Sequence, residues 1–249
     1  MISENPILSV ITVVYNGEKY VEETLLSVFN QSYKHIEYIV IDGASKDGTV
    51  DIIKKHQSKL SKWISEPDKG LYDAMNKGIK LATGDYLAFL NASDVFASHD
   101  TIEKMFAYKP NADCYFSDTK ITNDDGEYIA MLSELSHNKA PENLNWKSLQ
   151  RGMTVCHQSF IVKRELATNY NMRYKIAADI DWVIRSLKNC KTNILLPFPI
   201  AQFRAGGVSQ SRFKKGMKER YTILQSHYGV ITNFFNHVFM FTRFVFKRR

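Results

Sequence analysis

The sequence predicts an α/β fold with a mainly parallel central sheet flanked by helices. Its first half alternates short apolar, β-branched runs with segments of helical periodicity, a pattern typical of strands joined by crossover helices. The predicted strands occupy residues 8–14, 36–41, 63–65 and 86–90. The predicted helices between them occupy residues 18–30, 48–60 and 71–82. Right-handed crossovers would then make these strands parallel to one another.

After residue 96 the alternation gives way to a mixed pattern. Helices are predicted at residues 99–108 and 180–187. Strands are predicted at residues 113–117, 120–131 with a turn at 123–126, 159–162, 193–196 and 200–203. We expect this half to lie over one edge of the sheet.

Size and composition are those of a globular protein. The 249 residues, 44% of them hydrophobic, fit one large domain or one domain with appendages. Three cysteines without metal-site spacing predict reduced thiols in a cytosolic setting and no zinc site. The first residues lack a basic segment followed by an apolar one, so no signal peptide is predicted.

The positive charge is concentrated at one end of the chain. The formal net charge is +7, and residues 204–249 contain ten Lys and Arg against one acid, Glu219. A partner that is attracted by this charge would therefore meet the C-terminal end only.

Polar residues follow three of the predicted strands. They are Tyr15-Asn16, Asp42, and the group Asn91, Ser93 and Asp94. Because parallel strands end at the same edge of a sheet, we expect these residues to converge where open α/β sheets bind ligands. Oxygen ligands of this kind suit Mg²⁺ or Mn²⁺, and such a cation suits a diphosphate. The alternative, that residues 91–94 form only a turn or a helix N-cap, remains open.

Glycine-rich phosphate loops are missing from the sequence. The first predicted strand is followed by Tyr-Asn-Gly-Glu-Lys-Tyr, which contains neither Gly-x-Gly-x-x-Gly nor a Gly-x-x-x-x-Gly-Lys-Ser/Thr motif. Phosphates would therefore be held by a cation and by side chains.

Five segments together carry a resemblance to a known family. They are residues 9–17, 42–49, 66–78, 82–86 and 178–182. In sequence and order they resemble the family 2 glycosyltransferases of the Rossmann-like GT-A fold. The resemblance implies transfer of a sugar, with inversion, from a nucleotide-sugar donor to an acceptor hydroxyl, and we expect a UDP-sugar donor and a glycan or lipid-linked glycan acceptor in cell-surface polysaccharide synthesis.

The resemblance also assigns roles to individual residues. It implies that Tyr15 and Asp42 contact the nucleoside. The family's Asp-x-Asp metal motif falls on Asn91-Ala92-Ser93, so only the following Asp94 supplies a carboxylate. We therefore predict a weakened Mg²⁺ or Mn²⁺ site at Asp94.

The general base must be a carboxylate, since an inverting displacement needs a group that accepts the acceptor proton. Asp179 and Asp181 lie about 200° apart on a helix, so both cannot face one ligand. Asp181 lies four residues before Arg185, where an ion pair accounts for it. Asp179 also occupies the family's base position, and we predict that it is the base; the alternative is a helix N-cap.

Further residues are predicted around the donor and the acceptor. For the donor they are Asp68, Lys69, Asp73, Asn76, Asn91, Ser93 and Arg204. For the acceptor or the diphosphate they are His157 and Gln158. For Asp68 and Lys69 the alternative is a solvated loop, and for Asp73 and Asn76 it is a helix surface. For Arg204 it is a plain surface loop, and for His157 a buried, hydrogen-bonded histidine.

The C-terminal segment 230–246 is apolar and aromatic but carries too many polar residues for a membrane span. We expect a helix lying in the interface on the inner face of the cell membrane, and no nucleic acid partner. The alternatives are a terminal helix packed on the domain and a homodimer contact. The predicted parts are a nucleotide-sugar half (1–98), an acceptor half (99–210) and a C-terminal helical tail (211–249).

Two rival functions remain. A catalytically silent nucleotide-sugar-binding scaffold would explain the missing pair of metal carboxylates. A sugar nucleotidyltransferase would need a Gly-rich, basic loop after the first strand, and residues 15–20 do not supply one.

Overall fold

The computed structural model describes residues 5–136, 139–205 and 213–246. The strands are β1 (Leu8–Val14), β2 (Ile36–Asp42), β3 (Lys62–Ser65), β4 (Tyr86–Phe89), β5 (Val95–Phe96), β6 (Cys114–Phe116), β7 (Lys120–Thr122), β8 (Tyr128–Met131), β9 (Phe160–Lys163), β10 (Asn193–Leu195) and β11 (Ala201–Arg204). The α-helices are α1 (Val21–Phe29), α2 (Thr49–His56), α3 (Leu71–Leu81), α4 (Thr101–Tyr108), α5 (Leu132–Leu135), α6 (Ala178–Asn189), α7 (Phe213–Tyr228) and α8 (Val230–Phe246).

The main sheet runs in the order β10-β6-β9-β4-β1-β2-β3. Its pairs are parallel except for β9, which is antiparallel to both β4 and β6. The predicted mainly parallel sheet is therefore present. β1 is buried along its whole length and pairs with β2 from Leu8–Ile36 to Val14–Asp42. This register brings the loops that follow β1 and β2 to the same edge.

A second, smaller sheet lies over that edge, in the order β5-β11-β7-β8. The predicted break at residues 123–126 separates β7 from β8, as expected. The strand β5 and the helix α5 were not predicted. Their two and four residues are too short for a hydrophobic period to show in the sequence.

Helices cover both faces of the main sheet. On one face, Val21 and Leu25 of α1, Ile53 of α2 and Met105 of α4 pack in one buried cluster. On the other face, residues of α3 and α6 share a second cluster that includes the fully buried Trp182. The Trp182 ring stacks on Tyr170 with centroids 5.2 Å apart, so α6 is anchored by its aromatic face.

Helix α3 approaches β1 closely at Gly78. A Cβ added there would overlap Ile11 Cγ2. We expect Gly78→Val to lower the free energy of unfolding by about 1–3 kcal/mol, because the added side chain must displace β1 or α3. Urea unfolding measures the change, and Lys80→Val, at an exposed position of the same helix, controls for the helix propensity of valine. Equal effects of the two substitutions would contradict this account of the packing.

The C-terminal helices differ in their contacts. Ile223 and Leu224 of α7 are buried and belong to the core cluster around α6. α8 begins after Gly229, whose φ of +83° permits the sharp turn between the two helices. Apolar side chains of α8 stay exposed at Val230, Ile231, Phe234, Phe235, Val238 and Phe239. Among the described residues, no helix combines the length and the apolar character needed to cross a bilayer.

Candidate active site

A cleft of about 1470 Å³ opens at the edge where β1 and β4 end. Of the predicted site residues, it is lined by Tyr15, Asp68, Lys69, Asn91, Ser93, Asp94, His157, Gln158, Asp179 and Arg204. Asp42, Asp73 and Asn76 do not line it. The structure therefore brings the predicted metal residue and the predicted base into one cavity.

One end of the cleft is formed by the loops after β1 and β2. The Tyr15 side chain is among the most exposed aromatic groups described, with 63% of its surface accessible. Its ring lies beside Gly43, where an added Cβ would sit 3.3 Å from Tyr15 Cδ2 and 3.0 Å from Asp68 Oδ2. The loops are tied together because Lys46 N donates to Asn16 Oδ1 at 2.9 Å. This end offers an exposed aromatic ring packed closely against a glycine.

Asp42 occupies a buried position beneath that end of the cleft. Its carboxylate accepts hydrogen bonds from Ser45 N at 3.0 Å and from the Ser45 and Ser65 hydroxyls at 2.5 and 2.6 Å. The side chain is fully buried, so both oxygens are engaged within the protein. This geometry favours support of the 43–45 loop over the direct nucleoside contact that was predicted.

The centre of the cleft contains a buried carboxylate with a free oxygen. Asp94 is 1% exposed, and its Oδ2 accepts a hydrogen bond from Gln158 Nε2 at 2.8 Å. Within the described part of the chain, no hydrogen-bond partner is found for Asp94 Oδ1 or for the buried Asn91 Oδ1. Burial raises the pKa of Asp94 to about 7. Unpaired oxygens of this kind call for a partner that is absent from the protein itself.

The backbone at this point has an unusual conformation. Ser93 has a φ of +110°, outside the regions that side chains normally allow, and its N–H donates to Thr24 Oγ1 at 3.1 Å. Thr24 Oγ1 in turn donates to the Asp94 carbonyl at 2.9 Å. A strained residue held by a neighbouring helix is typical of functional sites.

These oxygens fit a weakly held divalent cation. Carboxylate and amide oxygens suit Mg²⁺ or Mn²⁺, and Asp94 and Asn91 could each supply one. No group of three or more His, Cys, Asp or Glu suited to a metal is found in the described part of the chain. A cation here would need further ligands from a bound diphosphate and from water.

Asp179 lies in the first turn of α6 and lines the same cleft. The Tyr72 hydroxyl lies 3.4 Å from its Oδ1 and donates to the Ile176 carbonyl at 2.9 Å. Burial raises the pKa of Asp179, and the backbone N–H of Ile180 and the charge of Arg220 partly offset this effect. A carboxylate with a raised pKa is a stronger base than an ordinary aspartate.

The second carboxylate of α6 has a structural environment. Asp181 is 4% exposed, does not line the cleft, and accepts hydrogen bonds from Arg185 Nε and His227 Nε2, both at 2.8 Å. Burial alone would raise the pKa of Asp181, but these two partners hold it below its ordinary value. The ion pair predicted with Arg185 is present, and Asp179 is left as the better placed base.

His157 and Gln158 reach the cleft from the segment before β9. His157 is 5% exposed, and its ring lies 5.3 Å from the Phe89 ring. None of the residues that the structure describes bonds to its Nε2. Burial lowers the pKa of His157 to about 4, so the ring is neutral at pH 7. Gln158 holds Asp94 instead of pointing freely into the cleft. This link joins residues far apart in sequence, and no local pattern indicates it.

The remaining predicted residues are largely engaged with the protein. Asp68 pairs with Lys77 at 2.6 Å. Asp73 Oδ2 accepts from the Lys69 N–H at 2.9 Å. The Asn76 side chain bonds the backbone of Tyr170 at 2.7 and 3.0 Å and so joins α3 to that segment.

Arg204 is the last residue of β11 and is 8% exposed. Its guanidinium lies 2.5 Å from Glu23 Oε2 and stacks over the Tyr20 ring at 4.6 Å. The residues that follow, 206–212, lie outside the described part of the chain. Lining residues that the sequence did not single out include Tyr72, Arg151, Lys175, Lys215 and Arg220.

The family model for glycosyl transferase family 2 matches residues 9–170. The chain belongs to glycosyltransferase family 2. An uncharacterized glycosyltransferase of Mycobacterium tuberculosis, Rv1514c, is 30% identical over 216 residues, 83% of this chain and 78% of that one. The putative teichuronic acid biosynthesis glycosyltransferase TuaG of Bacillus subtilis is 29% identical over 227 residues, 88% of this chain and 87% of that one. The predicted family and enzyme class are thereby confirmed.

Solved structures of other glycosyltransferases share the fold. S. aureus TarS 1-349 in complex with UDP-GlcNAc has a TM-score of 0.65 and 18% identity. The Pyrobaculum calidifontis mannosyltransferase PcManGT in complex with GDP-Man and Mn²⁺ has a TM-score of 0.62 and 18% identity. Each match covers 88% of this chain, and 66% and 64% of those chains respectively. The predicted GT-A fold is confirmed at this level.

Proposed function

We propose that this family 2 glycosyltransferase moves a sugar, with inversion, from a UDP-sugar to a hydroxyl of a glycan or lipid-linked glycan in cell-surface polysaccharide synthesis. The observation that carries the proposal is one cleft lined by an unpaired buried Asp94 oxygen and by Asp179. TarS and PcManGT form complexes with the nucleotide-sugars UDP-GlcNAc and GDP-Man, and TuaG is named for teichuronic acid biosynthesis. These relatives support a nucleotide-sugar donor and a role in polysaccharide synthesis.

The donor is proposed to lie across the cleft from Tyr15 to Asp94. The exposed Tyr15 ring would contact the base, and the loop that Asp42 supports would shape that end. Asn91 and Asp94 would hold Mg²⁺ or Mn²⁺ beside the diphosphate, with Lys69 at the same cleft. A bound cation would neutralise the charge that develops on the leaving diphosphate.

Asp179 is proposed as the general base. Its carboxylate would accept the acceptor proton while the acceptor oxygen bonds to the anomeric carbon and the bond to the diphosphate breaks. Attack from the face opposite the leaving group would give inversion. The neutral His157 could only donate or accept a hydrogen bond at pH 7, so it would orient a substrate group and not carry a charge.

The experiment is release of nucleoside diphosphate from a panel of UDP-, GDP- and dTDP-sugars, with Mn²⁺ or Mg²⁺ and with water as the acceptor. We expect one donor class, that of UDP, to be hydrolysed in a metal-dependent reaction. Rates equal to those of buffer alone with every donor would favour the scaffold.

The scaffold is the second candidate, since the described residues include no three-ligand metal group and neither position of the Asp-x-Asp motif is a carboxylate. It would bind a donor without consuming it. The scaffold would be indicated by donor binding without donor turnover, with the same donor affinity after substitution of Asp179.

The Tyr15 ring gives a test of donor placement. We expect Tyr15→Ala to raise the dissociation constant of UDP by about two- to tenfold, because an aromatic contact with a base contributes about 0.5–1.5 kcal/mol. Isothermal titration measures the change. Tyr128→Ala is the matched control, since Tyr128 is 57% exposed but does not line the cleft. Unchanged UDP affinity in Tyr15→Ala would place the base elsewhere.

The C-terminal helix is proposed to bring the enzyme to the inner face of the membrane. The exposed side chains of α8 from Val230 to Phe239 repeat at helical spacing on one face. The ten basic residues of the C-terminal region would add attraction to anionic headgroups. Such a position would suit a lipid-linked acceptor.

A further inference from the structure

Helix α7 holds the segment that leads into α6. The carboxylate of Glu219 accepts hydrogen bonds from three successive backbone N–H groups. Its Oε2 lies 3.0 Å from Lys175 N, 2.8 Å from Ile176 N and 3.1 Å from Ala177 N. Charge-assisted bonds of this kind are stronger than neutral ones, and three of them to one carboxylate fix a short segment firmly.

The same segment is held from the opposite side by α3. The Tyr72 hydroxyl donates to the Ile176 carbonyl at 2.9 Å and lies 3.4 Å from Asp179 Oδ1. Helix α7 also approaches closely, since a Cβ on Gly216 would lie 3.2 Å from Ile176 Cγ2. Residues 175–177 therefore lie between α3 and α7, immediately before the turn of α6 that carries Asp179.

We propose that Glu219 is a positioning residue for the glycosyl transfer: through the amides of residues 175–177 it fixes the first turn of α6 and with it the carboxylate of Asp179. This inference rests on the proposed role of Asp179 as the base. A base acts only within hydrogen-bond reach of the proton it accepts, so a small displacement of this turn would lower the rate. The tail beyond residue 211 would then be part of the catalytic unit.

Several titratable groups surround Asp179 and enter its pH dependence. Tyr72 of α3, Tyr170, Cys156 and Arg220 of α7 all interact with it electrostatically. If the bonds from Glu219 to residues 175–177 are lost and the first turn of α6 loosens, Asp179 gains water. Its carboxylate is then less desolvated, so its pKa moves downward, toward that of an ordinary aspartate.

The test compares Glu219→Ala and Glu219→Gln with Lys218→Gln, an exposed neighbour on the same helix. Donor turnover is measured well below the unfolding midpoint. We expect kcat to fall at least tenfold in Glu219→Ala and less in Glu219→Gln, which keeps one acceptor oxygen. The donor KM should change by less than threefold, and the acidic limb of the kcat profile should move to lower pH. Lys218→Gln should match the wild type.

Hydrogen exchange supplies a readout that does not depend on turnover. The amides of residues 175–177 should exchange faster in both Glu219 variants than in Lys218→Gln. Glu219 variants with the kcat and pH profile of the wild type would overturn the proposal, even if their unfolding midpoint fell. If Asp179→Asn abolishes turnover but the Glu219 variants do not, only this inference fails. If Asp179→Asn is fully active, the base assignment fails with it.

Discussion

Asp179→Asn is expected to lower kcat for donor turnover by about 10²–10⁴-fold, the usual contribution of a general base. The amide has nearly the shape of the carboxylate, so the cleft should keep its form while the proton acceptor is lost. UDP binding should remain within about threefold of the wild type, because Asp179 is proposed to contact the acceptor and not the nucleotide. Parallel measurements of turnover and UDP titration separate the two effects.

Stability gives an independent check on the same substitution. Because burial raises the pKa of Asp179 in the folded protein, folding disfavours its charged form. Its contribution is therefore most favourable at low pH and is lost as the pH rises through the raised value. Asp179→Asn should raise the unfolding midpoint at pH 8 and matter less at pH 4.

Asp181→Asn is the matched control, since it lies on the same helix and loses two partners, Arg185 and His227. Its folded pKa is lowered, so its contribution is present at neutral pH and is lost in acid. We expect it to be less stable than the wild type at pH 8 while it retains turnover in the folded state. The reverse result, an inactive Asp181→Asn and an active Asp179→Asn, would contradict the assignment of the base.

Asp94→Asn is expected to lower turnover by about 10²-fold or more at a fixed Mn²⁺ concentration. Removing one electrostatic stabiliser of a developing negative charge commonly costs 10²–10³-fold. The Mn²⁺ concentration for half-maximal rate should rise, because a neutral amide is a weaker ligand than a carboxylate. Turnover as a function of Mn²⁺, after removal of metal with EDTA, measures both quantities.

Without metal, the same variant should be at least as stable as the wild type at pH 8. The substitution removes a buried charge whose Oδ1 has no partner. Asp51→Asn, an exposed carboxylate of α2 away from the cleft, serves as the control. Full turnover in Asp94→Asn after EDTA treatment would refute the placement of the cation.

The sheet was predictable because its strands are continuous apolar runs that end at polar residues. β1, β2 and β4 are almost wholly buried, so the sequence shows them directly. β9 was predicted as a strand, but its antiparallel place between β4 and β6 was not, since direction depends on contacts between distant segments. Strand β5 has only two residues, too few to show the alternation of apolar and polar residues by which a strand is recognised in a sequence.

Two of the predicted site residues lie next to the end of an element and line the cleft. Asp94 follows β4 and Asp179 opens α6, and both line the cleft. Asp42 ends β2, and Asp73 and Asn76 lie on α3. None of the three lines the cleft, and each bonds to the protein. The bonds of Gln158 to Asp94 and of Glu219 to residues 175–177 span 64 and at least 42 positions. The spacing of residues within one segment cannot reveal hydrogen bonds between segments that are far apart in the sequence.

The most direct test of the central claim is a thermal-shift screen of the whole chain against UDP-, GDP- and dTDP-sugars with Mn²⁺ or Mg²⁺. Ligand at 100 times its dissociation constant stabilises the folded state by about 2.7 kcal/mol, which corresponds to roughly 5 °C or more for a chain of this size. We predict a shift of this order with UDP-sugars, smaller without metal and smaller in Asp94→Asn. No shift with any donor, with or without metal, would contradict the claim that this cleft binds a nucleotide-sugar.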